Sequence, residues 1–309
     1  MVTPTAANTS GKDEQPLAAA AEDGQPSRHP YAYADAVPAP LAYLLGAALA
    51  VVRLACLLLG ALVYVTCARI KAPRIVLTRL AMWCFGVLSL KVDDRRAKSD
   101  AAETPIVVLA PHHGLLEGLF AAYYFDARPM MMATFARLPV IGAIVRANGA
   151  LLVELKRHKK GSSVAPADAK PSAAARQALA THAADYKGGR PVAVLPEGTT
   201  HNGAALLKFF EGAFAPRAPV QPVCVRFSGC VDGSFCGTLI SHLARLLCGP
   251  SQRMSVVVLP AIRPLDGEDA SSFAARVRGE MAAELGVPLS DYDAKSLNAE
   301  YVARRRRPG

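Results

Sequence analysis

The chain has 309 residues, 52% of them hydrophobic, and a formal net charge of +10. That length supports one or two buried cores, and the positive balance suits anionic lipid surfaces or phosphorylated ligands. Zinc-finger spacing and basic helices interleaved with aromatics are both missing from the sequence, so nucleic acid is not an expected partner. The seven cysteines form no C-x-x-C pair, which fits reduced thiols in a cytosol-facing chain.

Residues 1–38 are rich in Ala, Pro, Asp, Glu, Gln and Ser and lack hydrophobic periodicity; they read as a disordered tail. They are too polar for a secretory signal peptide. The run "PLAYLLGAALAVVRLACLLLGALVYVTCA", Pro40 to Ala68, exceeds the roughly 20 residues that cross a bilayer. Its one charge is Arg53, and a lone arginine near mid-membrane costs about 2.5–3.5 kcal/mol on insertion scales. A bent or re-entrant hairpin with Arg53 at its turn would avoid that cost. The next run, Ile75 to Leu90, carries Arg79 and the only tryptophan, Trp83, and suits an interfacial helix. Residues 39–92 are therefore expected to form membrane anchor helices. Arg69, Lys71, Arg74 and Arg79 follow the long run, which places the rest of the chain on the cytosolic side.

Residues 93–298 change character. "IVVLA", "MMMATF", "ALLVEL", "VAVLP", "VQPVCVRF" and "SVVVLP" read as strands. Helical patterns alternate with them, including one that starts near Ser172 and stops by Gly188. In the last helix Phe273, Val277, Met281 and Leu285 recur every four residues before Gly286. Such alternation predicts an α/β domain. Residues 299–309 form a basic tail ending "RRRRPG".

Two strands end alike. "IVVLA" gives way to "PHHGLLEG", and "VAVL" gives way to "PEGTTHN". In open α/β sheets ligands bind beyond the carboxyl ends of the strands. Side by side, these turns would set His112 or His113 against Glu197, Gly198 and Thr199. Glu117 lies five positions after His112 and can reach it across one turn, fixing its tautomer and strengthening it as a base. The same spacing from His113 ends on Gly118, so His112 is the expected base. The "EGTT" turn offers backbone N–H groups and hydroxyls to a phosphate or an oxyanion.

These motifs resemble those of the glycerolipid acyltransferases built on a His-x4-Asp motif. "PHHGLLEG" is similar to their first motif, "LPEGTTHNG" to their Pro-Glu-Gly-Thr motif, and "APVQPVCVRF" to the strand that follows. Within that family the run "LPVIGAIVRA", the sequel "GAF", and the late "LGVPLSDY" resemble the lysophosphatidylcholine and lysophosphatidylethanolamine acyltransferases. The resemblance implies a mixed sheet flanked by helices, preceded by a membrane-associated helical segment. It also implies acyl transfer from acyl-CoA, as co-substrate, to a lysophospholipid, without metal or other cofactor.

By the same resemblance His112 is the base and Glu117 its orienting acid, while Glu197, Gly198 and Thr199 hold the acceptor. Arg146, Lys156, Arg157 and Lys208 are the candidate phosphate ligands. Membrane lipids are the surrounding partners, and the endoplasmic reticulum is the expected location. Two positions depart from the pattern: Glu117 stands where aspartate is usual, and Leu155 stands where an arginine is usual. Lysophosphatidate or glycerol-3-phosphate acyl transfer is the runner-up, with a lipid-binding membrane protein of the same fold as the reading from a different class.

Overall fold

The computed structural model describes residues 40–154, 173–229, 234–235 and 239–297. The expected N-terminal tail, the basic tail, Ser172, Leu155, Lys156 and Arg157 lie outside the described residues.

The centre of the protein is a seven-stranded sheet in the order β1-β7-β6-β2-β5-β3-β4. Its strands are β1 (Val87–Asp94), β2 (Ile106–Ala110), β3 (Arg128–Met132), β4 (Leu151–Val153), β5 (Val192–Val194), β6 (Val220–Gly229) and β7 (Gln252–Val258). Every pairing is parallel except β6 with β7, so the sheet is mixed. The helices are α1 (Pro40–Cys67), α2 (Lys71–Cys84), the single turn α3 (Asp100–Glu103), α4 (Leu116–Tyr124), α5 (Pro139–Asn148), α6 (Ala173–Ala184), α7 (Leu239–Cys248) and α8 (Ala270–Leu285).

The central strand β2 is buried along its whole length, which explains why its sequence is a continuous apolar run rather than an alternating one. Its side chains still alternate between faces. Ile106, Val108 and Ala110 pack with Leu179 of α6 and with Phe273, Val277 and Met281 of α8. Val107 and Leu109 pack with Met82 of α2 and with Leu116 and Phe120 of α4. The four-residue repeat of α8 is thus its core face, and Gly286 ends the helix in the left-handed region with φ 61°.

Two expectations for the N-terminal half are corrected. The run Ile75–Leu90 is not one helix: α2 ends at Cys84, and Val87 opens an edge strand that pairs with β7. Gly86, whose backbone sits at φ 91°, makes the break.

Arg53 is not at a hairpin turn either, because α1 runs unbroken through it. Its Nη1 donates to the carbonyls of Leu247 (2.8 Å) and Gly249 (2.6 Å), and its Nη2 to that of Pro250 (3.2 Å). These carbonyls lie at and just beyond the end of α7, where a helix leaves acceptors unsatisfied and its dipole is negative. A buried cation at mid-run is stabilised by acceptors from another element, and no bend is required. The opposite side of α1 exposes Val51, Leu54, Leu58, Leu62 and Val65. Residues Gly46–Cys67 of this helix are long and apolar enough to cross a membrane.

Replacing Arg53 by leucine should therefore destabilise the fold, although it removes a charge from an apolar helix. Each carbonyl left without a donor costs roughly 1–3 kcal/mol. Thermal unfolding of the detergent-solubilised full chain checks this: a lowered midpoint is expected, and an unchanged or raised one would contradict the capping role.

Candidate active site

Strands β2 and β5 are hydrogen-bonded neighbours, so the turns that follow them leave the sheet side by side. The backbone binds the two turns together. His112 N–H donates to Glu197 Oε2 at 2.7 Å, and His201 N–H donates to the His112 carbonyl at 3.0 Å. The expected meeting of "PHHG" with "PEGTT" is therefore observed.

Glu197 is fully buried. Its Oε1 accepts the Leu207 N–H at 2.8 Å and lies 2.9 Å from His201 Nε2, without the alignment of a hydrogen bond. His201 Nδ1 accepts the Gly203 N–H, so the neutral ring carries its proton on Nε2, facing the carboxylate. Glu197 is expected to contact substrate; in the structure both of its oxygens accept backbone N–H groups and tie the β5 turn to the β2 turn. Gly198, next in sequence, is exposed. It has φ 67°, and a Cβ there would stand 2.1 Å from the Phe210 ring, so only glycine fits. Thr199 is part-exposed on the same turn.

Glu117 lies in the first turn of α4 and has no exposed surface. Its Oε1 accepts the His113 N–H at 2.5 Å, and its Oε2 accepts the Gly114 N–H at 3.1 Å. The ring in contact with it is that of His113, with Nδ1 3.1 Å from Oε1. The predicted pairing of His112 with Glu117 is corrected to this extent. Helix α4 begins only at Leu116, so the histidines precede it and turn geometry decides which ring arrives. The His113 ring stands edge-on to Phe227 at 5.1 Å between centroids. Its Nε2 lies 2.5 Å from the place a Cβ would take on Gly203, so backbone closes that side.

His112 is the less buried of the two histidines. Its Nδ1 is enclosed and has no hydrogen-bond partner among the described residues. Burial lowers the His112 pKa, more than Glu117 and Glu197 raise it, which keeps the ring neutral near pH 7. Burial alone would raise the Glu117 pKa. The hydrogen bond from His113, with the charges of His113 and His112, outweighs it and holds the carboxyl at about 2.

A depressed carboxyl stabilises the fold above its unfolded value of 4.5, and that contribution is lost as pH falls toward 2. Wild type should therefore lose more stability than Glu117→Gln between pH 4.5 and pH 2. Urea unfolding of both proteins across that window checks this; parallel losses would contradict it.

The remaining candidates are spread out. Arg146 is in the last turn of α5, and its Nη1 donates to the Ala136 carbonyl at 2.5 Å. Lys208 is exposed; its N–H donates to the Tyr292 carbonyl, and its ammonium acts on Asp293. Sequence reasoning did not single out His201, although its place four residues after Glu197 was visible. No group of three or more His, Cys, Asp or Glu side chains among the described residues could hold a metal ion.

An ionised carboxylate and a neutral histidine thus lie at the carboxyl end of a central strand of an α/β frame. Residues 87–226 match the Acyltransferase family model, so this segment is an acyltransferase domain. Lysophospholipid acyltransferase LPCAT4 of Mus musculus is 32% identical over 70% of this chain. Lysophosphatidylcholine acyltransferase 2 of Mus musculus is 29% identical over 72%, and lysophosphatidylcholine acyltransferase of Drosophila melanogaster 29% over 68%. The chain covers 40%, 40% and 38% of these relatives' own lengths. The acyltransferase PlsC of Thermotoga maritima aligns over 76% of this chain with a TM-score of 0.46 and 14% identity.

Proposed function

We propose that this protein transfers a fatty acyl group from acyl-CoA to the free hydroxyl of a lysophospholipid. The observation that carries the reading is the locked pair of turns, which sets the part-exposed, neutral His112 beside the ionised Glu117 and the exposed Gly198. The hydroxyl oxygen forms a bond to the thioester carbonyl carbon while the His112 ring takes its proton. The carbon–sulfur bond then breaks, and the proton passes to the departing CoA sulfur. Glu117 stabilises the imidazolium through its charge.

We assign Gly198 and Thr199 to contact with the acceptor, and Lys208 to its phosphate. General-base transfer from a thioester requires no metal or bound cofactor. Similarity to proteins named for lysophospholipid and lysophosphatidylcholine acylation supports this acceptor class. The exposed apolar side of α1 supports membrane attachment. We place the protein on the endoplasmic reticulum with the site facing the cytosol, because basic residues follow α1.

One observation favours a second reading of the base: the ring that touches Glu117 is His113. Its enclosure by Phe227 and Gly203 argues against substrate access.

Purified full chain in detergent, given acyl-CoA and a panel of acceptors, tests the activity. Lysophosphatidylcholine or lysophosphatidylethanolamine should be acylated fastest. Preference for lysophosphatidate or glycerol 3-phosphate would change the acceptor assignment, and no acylation by folded protein would favour a lipid-binding role. In the same assay Lys208→Ala should raise the KM for acceptor or CoA and leave the melting midpoint unchanged, because its side chain is exposed. An unchanged KM for both substrates would remove it from the site.

A further inference from the structure

At the opposite end of the sheet, where β3 and β5 begin, a cleft of about 600 Å³ is lined by Arg128, Asn148, His182, Asp185, Lys187 and Arg190 among others. This volume falls within the range of small-molecule sites. The length of β2 separates it from the histidines, roughly 16 Å at 3.3 Å per residue.

The charges in this cleft are not balanced. His182 Nε2 lies 3.2 Å from the Pro105 carbonyl, which can only accept, so Nε2 carries the proton. Its Nδ1 then accepts from Arg128 Nη2 at 2.8 Å. Burial, followed by the charge of Arg128, lowers the pKa of this ring, so His182 adds no charge near pH 7. Arg128 thus spends a donor on a neutral ring and makes no ion pair among the described residues. Its Nε is buried without an acceptor.

Arg190 donates Nε to the Asp126 carbonyl and its other nitrogens to the carbonyl and side-chain oxygens of Asn148. Its nearest carboxylate, Asp126, lies 3.3 Å away and is already gripped by Arg74 at 2.8 and 2.5 Å. Lys187 is exposed at the rim. The lining therefore sets three cations, Arg128, Lys187 and Arg190, against one carboxylate, Asp185.

We propose that this cleft is a second binding site, separate from the transfer site, for a phosphate-bearing anion. A tetrahedral phosphate has enough acceptor oxygens to meet the part-exposed Arg128 guanidinium and the Lys187 ammonium together. The site also adjoins the apolar N-terminal helices: Arg74, which shares Asp126 with Arg190, donates to the Ala68 carbonyl just past α1 at 2.6 Å. A phospholipid headgroup and a soluble phosphate compound supply the same chemistry.

Calorimetric titration of the detergent-solubilised full chain with dioctanoyl phosphatidic acid and, separately, with inorganic pyrophosphate distinguishes the two sources. Wild type should bind at least one probe, and Lys187→Glu and Arg128→Gln should each weaken that binding about tenfold or more. Loss confined to phosphatidic acid assigns a headgroup, loss confined to pyrophosphate a soluble compound, and loss of both a site open to either. Failure of wild type to bind either probe, or binding unchanged in Lys187→Glu, overturns the proposal. Lys187 is exposed, so its variant keeps the test valid if Arg128→Gln fails to fold. The readout is binding, so the result does not depend on the transferase reading.

Discussion

His112→Ala is expected to lower kcat/KM by about 10²–10⁴-fold, the usual worth of a positioned general base. The protein should stay folded, because the fold uses only the His112 backbone. Its N–H meets Glu197 and its carbonyl meets His201, and alanine keeps both groups. His113→Ala should behave in the opposite way. It removes a buried ring from Phe227 and takes one donor from Glu117, so the melting midpoint falls more than the chemical rate. Glu117→Asp separates the roles of the two groups. Aspartate is one methylene shorter and cannot keep the bonds to His113 and Gly114 without moving the turn, so both stability and rate should fall. A normal rate with His112→Ala beside a collapsed rate in folded His113→Ala would transfer the base to His113.

Glu197→Ala is expected to cost about 3–5 kcal/mol, as when one partner of a buried pair is removed. The Leu207 and His112 N–H groups lose their acceptor at a fully buried position, and the His201 ring loses the carboxylate it faces. That is a large share of a typical 5–15 kcal/mol, and the melting midpoint should drop on the order of 10 °C. A directly substrate-binding carboxylate would behave differently, with raised KM and unchanged melting. Thermal unfolding and acceptor titration of the same variant separate these outcomes.

The sequence was most informative where burial was continuous or strictly periodic. Strands β2, β6 and β7 stand out as apolar runs because each is covered by other elements, and α8 stands out through Phe273, Val277, Met281 and Leu285. The approach of the two motif turns was also legible, since each follows such a strand. Other features depended on contacts between distant residues. Nothing local reveals that Glu197 faces backbone donors, or that Arg53 closes the end of a helix nearly 200 positions away. His112 and His113 precede α4, so helical spacing did not govern which ring reaches Glu117. Two elements left usable signals: "FG" at Phe85–Gly86 marks the break before β1, and Leu239, Leu243 and Leu246 in α7 follow a helical period.

Acyl-CoA-dependent acylation of a lysophospholipid by wild type beside His112→Ala, at matched amounts and with both proteins shown to be folded, tests the central claim most directly. Product from wild type and almost none from the variant is the predicted result; equal rates from the two proteins would contradict it.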